Sequence, residues 1–308
     1  MTGIQMTGIQ QRKVALAASL LLVAACASGG TTAVPTTPAP QPGEPPAPPP
    51  PSGGRGSTVG LRPVRSLPYR IERHDSLMLQ YEGGASQEQV RDRVAFVRLT
   101  LAEAPDPGSF RVTIMLDSLN ALDNGMPVPP DSALLVRGTE WSATLTPSGQ
   151  LQALRASRSS TLGDELAGTL RLLFPRLPQG GVREGMEWTD TTAYELVVDA
   201  FPGTETAVTS YRAAESEDGS DGGRKAIALE SSGTYSRSGT RVQGEQELQM
   251  TASGTREGTH RIGLEGALVS ARGNDAGEMT ISVPALGQTV PVKQSGSFSI
   301  TSLAAGSR

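Results

Sequence analysis

The chain is poor in the residues that most often carry chemistry or stacking. It has one cysteine, Cys26, only two histidines, and aromatic side chains make up 4%. A lone cysteine excludes internal disulfides and thiolate metal sites from everything that follows it. Scarce aromatics argue against stacking platforms for sugars or bases. They also mean that Leu, Val, Ile, Met and Ala must build the core. Beyond residue 25 the only lysines are Lys225 and Lys293, and 25 bases face 31 acids, a formal charge of −6. Such a mild negative balance, with arginines scattered along the chain, argues against a nucleic-acid partner, which needs a concentrated basic footprint. Also missing are a Gly-x-Ser-x-Gly elbow, a His-Glu-x-x-His helix, a phosphate loop and, after residue 25, a Ser-x-x-Lys pair.

What is present begins with a leader. Gln11-Arg12-Lys13 is positive, and Val14 to Ala25 is a 12-residue apolar run. A bilayer-spanning helix needs about 20 residues, so this run reads as a signal peptide. It ends Leu22-Val23-Ala24-Ala25-Cys26, which resembles the bacterial lipobox. The resemblance implies cleavage before Cys26 and acylation of its thiol and amine, which anchors the chain in a membrane. Ala27 follows, not Asp; by the sorting rule of Gram-negative lipoproteins this implies the periplasmic face of the outer membrane. Residues 1–5 recur as 6–10, as expected if translation begins at Met6 or later.

Residues 26–63 form the next segment. Ten prolines fall within 35–51 among Ala, Ser, Thr and Gly. This composition cannot bury enough apolar surface to fold. It favours extended polyproline II, so about 30 residues reach roughly 90 Å. The segment reads as a spacer, and residues 64–308 as one β-rich envelope domain.

Within that domain the period is two. Phe110, Val112, Ile114 and Leu116 alternate with polar residues, as do Tyr194, Leu196 and Val198. Leu248, Met250 and Ala252 repeat the pattern, and so do His260, Ile262 and Leu264. Met279, Ile281 and Val283 follow, then Phe298 and Ile300. Each set reads as a strand with one apolar face. Turns are expected at Thr146-Pro147-Ser148-Gly149, at 218–223 and at Gly273-Asn274-Asp275. In 90–101 the apolar parity changes between Phe96 and Val97, so a bulge is expected there, or a strand covered on both faces. One helix stands out at about 161–174. Thr161 and Asp164 form its capping box, Leu162, Leu166 and Leu170 its stripe, extended by Leu173 and Phe174, and Pro175 its stop. A helical turn is expected over 129–136.

The predicted fold is mainly β: a large curved antiparallel sheet, half-barrel-like, with the leucine-striped helix packed on its concave face. The hairpin Leu145–Leu151, the helix and the strands after it resemble the half-barrels of periplasmic lipid carriers of the LolA and LppX type. That resemblance implies an apolar ligand, and Leu162, Leu166, Leu170 and Phe174 are the residues expected to line or gate its site. The alternative is an assembly lipoprotein that contacts another envelope protein without a small ligand. No catalytic residue, metal or cofactor is expected, and the chain does not read as an enzyme. His260 reads as a packing histidine, and Asp75 cannot orient its neighbour His74 because adjacent strand residues face opposite ways. Gly233–Gly239 reads as a strand turn. Glu215, Glu217, Asp218 and Asp221 read as a solvated hairpin tip. Phe174-Pro175-Arg176-Leu177-Pro178, with Val182, Gly185 and Trp188, reads as a helix stop, an ordered connection and a core tryptophan at a strand entry.

Overall fold

A computed structural model describes residues 58–81, 83–196, 201–214 and 226–303. The leader, Cys26, most of the spacer, Val198 and the expected turn at 218–223 with its acidic residues lie outside them.

The strands are β1 (Val64–Gln80), β2 (Ser86–Glu103), β3 (Phe110–Asp123), β4 (Met126–Pro127), β5 (Glu140–Leu145), β6 (Leu151–Ala156), β7 (Glu187–Leu196), β8 (Gly203–Ala214), β9 (Ala226–Gln243), β10 (Gln246–Gly263), β11 (Leu268–Val283) and β12 (Gln288–Ser302). The helices are α1 (Pro130–Val136) and α2 (Thr161–Leu170). Eleven strands form one antiparallel path, β6-β5-β3-β2-β1-β12-β11-β10-β9-β8-β7, with β4 paired to β3 alone. The sheet curls into a nearly closed barrel, as the half-barrel expectation requires. Its edges are β6 and β7, and two bonds join what they carry. The Gln150 side-chain amide donates to the Ala193 carbonyl at 3.4 Å. The Leu177 amide, in the connection before β7, donates to the Ser148 carbonyl at 2.8 Å.

Alternation decides which side chains face in. In β2 the odd residues Ala95, Val97, Leu99 and Leu101 are buried, while Phe96 points outward and is exposed. No bulge lies in β2. Phe96 pairs with Ser118 and Val97 with Leu116, so the extra residue is Asp117 of β3. It sits where both its carboxylate oxygens accept from Arg98, Oδ1 at 2.7 Å and Oδ2 at 3.0 Å.

Two expected turns are strand interiors instead. Gly273-Asn274-Asp275 lies within β11, and Gly233–Gly239 within β9. These glycines are there for close approach. A Cβ on Gly273 would lie 2.6 Å from the Phe298 ring, and one on Gly277 would lie 2.8 Å from the Tyr235 hydroxyl. Leu264 lies just beyond β10 and is exposed.

The helix α2 packs inside the curl, its leucines gathered with the inward residues of β1, β2, β3, β5 and β6. Its cap is Ser160, whose hydroxyl accepts from the Gly163 amide at 3.1 Å, one residue earlier than the expected Thr161. The α-helix ends at Leu170, short of Pro175. Tighter bonds, Leu172 N to Thr169 O and Leu173 N to Leu170 O, carry the chain through the last turn. This keeps Leu173 and Phe174 in the same cluster. A second, smaller cluster holds Val59, Leu177, Val182, Ala213, Ile227, Leu229 and Ile262. Val59 enters it by a two-bond bridge to Val182.

Candidate functional site

Ten helical residues span about 15 Å. The 18-residue strands β9 and β10 span about 60 Å. The helix therefore covers only part of the inner face, and three zones follow one another along the curl.

The first is the helix end. Leu162, Leu166, Leu170 and Phe174 are all buried there, against Trp141, Val97, Leu99, Ile114 and Leu116 among others. The structure brings the four expected site residues together in this packed cluster. A buried guanidinium fixes the helix in place. Arg93 binds Glu165 of α2 through Nε at 3.0 Å and Asp123 through Nη2 at 2.7 Å, and its Nη1 binds the Leu122 carbonyl at 2.7 Å. Burial opposes its charge, but the two carboxylates more than offset this and raise its pKa. His260, fully buried on β10, completes the anchoring. Its Nε2 lies 2.9 Å from the Leu172 carbonyl, so that nitrogen donates and Nδ1 is left without a partner. Burial pushes its pKa below the usual histidine value.

The second zone is a polar belt across the middle of the inner face, which the strand registers bring into line. Arg73 on β1 donates to Asp75 at 2.7 Å and, through both terminal nitrogens, to Asp275 on β11 at 2.7 and 3.2 Å. Arg256 on β10 reaches Glu205 on β8 at 3.3 Å and lies 5.0 Å above the Tyr235 ring. Gln294 on β12 donates to the Tyr235 hydroxyl. Arg176 donates to Asp190 on β7 at 2.8 Å. Burial raises the phenols of Tyr194 and Tyr235, and that of Tyr211 to about 12, so all three stay protonated near neutrality. The belt thus offers paired charges and neutral phenols.

The third zone lies beyond the belt. Leu79, Leu196, Leu248, Met250, Ile281, Val283 and Val292 are buried on inward positions of their strands, yet they belong to neither packed cluster. They form an apolar wall that the helix does not reach.

Other features sit outside. His74 faces outward, with Nδ1 2.7 Å from Asp92 Oδ1 across the strands, while Asp75 points inward. An open groove of about 460 Å³ on the outer face is lined mainly by hydroxyls, including Thr204, Thr206, Ser236, Ser238, Thr251 and Ser253. Among the described residues no group of three or more His, Cys, Asp or Glu is placed to hold a metal. No described helix is long and apolar enough to cross a membrane.

Sequence reading missed the belt. The signal was available: Arg73, Asp275, Arg256, Glu205 and Gln294 each share the parity of the apolar residues in their own strand. In-phase charge next to in-phase glycine (Gly254, Gly258, Gly277, Gly296) marks a polar band on an inner face. Trp188, expected in the core at a strand entry, is half-buried at the start of β7 and stacks on Tyr211 at 5.2 Å, 9° from parallel. Compared with known proteins, the chain matches no family model and no curated protein.

Proposed function

We propose that this chain is an envelope lipoprotein, anchored through lipid on Cys26, that holds an apolar molecule on the inner face of its barrel-like sheet. The observation that carries this reading is the mismatch between helix and sheet. A helix of about 15 Å fills one end of a curl whose strands reach about 60 Å. The apolar wall of Leu79, Leu196, Leu248, Met250, Ile281, Val283 and Val292 beyond it is what a tail-like ligand needs. In this reading Leu162, Leu166, Leu170 and Phe174 bound the chamber at its inner end, and no step of bond chemistry is involved.

The test uses the mature chain from residue 26, carrying Cys26→Ser and exported behind a cleavable leader. Native mass spectrometry and solvent extraction are expected to find a stoichiometric apolar species, or its uptake from added fatty acid. A clean mass with no uptake overturns the reading. The lipidated parent is expected in the membrane fraction and the Cys26→Ser chain in the soluble one.

A second reading, assembly with another envelope protein, is favoured by one feature. Met126, Leu134 and Leu135 are 68%, 63% and 66% exposed on β4 and α1, a pattern that suits a protein contact. A lipid-free chain that captures an envelope partner, and loses it on Leu134→Asp, would select this reading.

A further inference from the structure

We propose that the β7–β10 corner of the belt binds the oxyanion head, carboxylate or phosphate, of an amphiphile whose tail lies along the apolar wall. This rests on the ligand-binding reading above and adds the headgroup class.

Three buried N–H groups in this corner have no acceptor: Arg176 Nη1, Arg256 Nε and Trp188 Nε1. Register sets their carriers along one inner face of four neighbouring strands. Trp188 and Asp190 share the inner face of β7, and Arg176 is held at Asp190 by its Nε. Asp190 lies opposite Thr209, Thr209 opposite Gly233, and Gly233 opposite Arg256. Between the two guanidinium groups the inner row therefore carries only a threonine and a glycine. Neither is bulky, which leaves room above the sheet between the two. Tyr211 supports the Trp188 ring from beneath, and Tyr235 supports Arg256.

The chemistry of the corner selects its guest. Asp190 already accepts from Arg176 and from the Thr192 hydroxyl, and Glu205 accepts from Arg256. Each carboxylate is thus already engaged by a donor of the corner, and the three N–H groups are not engaged. A cation would face two guanidinium groups. A sugar hydroxyl would find few free acceptors. A group that only accepts, and carries negative charge, is the partner such N–H groups lack, and such bonds are the strong ones. The apolar wall lies on the same inner face, one side of the belt, so head and tail can be held together.

The test titrates the mature Cys26→Ser chain with oleate, an oleoyl lysophosphatidate, oleyl alcohol, and acetate or inorganic phosphate alone. The solution is held at about pH 8, where the heads are ionised. Both charged amphiphiles are expected to bind about 10–100-fold tighter than the alcohol, the worth of charge-assisted bonds. Trp188→Phe keeps an aromatic ring to stack on Tyr211 and removes the N–H together with the indole's five-membered ring. Arg256→Lys removes Nε as a donor and keeps the charge. Each is expected to weaken the charged amphiphiles several-fold and leave the alcohol unchanged. Equal binding of oleate and alcohol overturns the head site while the apolar chamber stands. No binding of any amphiphile overturns both. Phosphate or acetate binding as tightly as the amphiphiles, with the alcohol silent, assigns the corner to a free anion and overturns the amphiphile.

Discussion

Leu170 gives a direct measure of whether α2 is a packed plug or a loose lid. The side chain is 1% exposed in the main cluster. Leu170→Ala removes buried methyl and methylene groups and leaves a cavity whose walls are strand side chains with little freedom to collapse. A truncation of this kind costs about 3 kcal/mol. In a domain of this size each kcal/mol moves Tm by about 2–4 °C, so the melt should fall by about 6–12 °C. Far-UV circular dichroism on the mature Cys26→Ser chain reads this. Leu134→Ala, at a position 63% exposed, is the control and should move Tm by under about 2 °C. If the two substitutions behave alike, α2 is not packed as described, and the division of the inner face into a part that α2 covers and a part that it does not reach is wrong.

Two further outcomes follow from the groups that hold the helix. Glu165→Ala strips Arg93 of one of its two carboxylates and should cost about 2 kcal/mol in a urea titration; Asp123 still compensates part of the charge. Adding Arg93→Met should recover part of that loss, and a double variant no more stable than the single one refutes the clamp. His260 predicts a pH dependence. Its folded pKa is depressed, so the unfolded chain binds the proton more readily. Its contribution is complete above the ordinary value of about 6.5 and is lost as pH falls below that toward the folded value. Urea midpoints of the parent should therefore drop on acidification more steeply than those of His260→Gln. Identical slopes would refute the burial argument.

Strand alternation made the sheet legible because one face is buried and the period is two. Phe110 to Leu116 and Phe298 with Ile300 needed nothing more. The helix was legible for the same reason, through Leu162, Leu166 and Leu170 at a spacing of four. The failures share a cause as well. Gly233, Gly273 and Asp275 have turn-forming composition, and local composition cannot tell a bend from a place where a neighbour's side chain needs room. Whether Gly273 is a turn depends on Phe298, 25 positions away in sequence and opposite it across β11 and β12. The parity change at Phe96 was visible, but its cause, Asp117, lies on the partner strand. The belt required knowing that Arg73 and Asp275, 202 positions apart, face the same space.

The way the chain enters the sheet has a mechanical consequence. Among the described residues, a pull applied to the amino-terminal end meets the Arg183 bond to the Thr58 hydroxyl at 3.1 Å, the Val59–Val182 bridge of two hydrogen bonds at 2.9 and 2.8 Å, and then the Arg62 amide on the Gly266 carbonyl at 3.3 Å. These four can open one after another rather than together. Beyond them the load reaches β1, which is paired along its length to β2 on one side and β12 on the other. There the bonds lie across the direction of pull and must shear together. Tension on this end is thus expected to release a few residues of slack before β1 resists it.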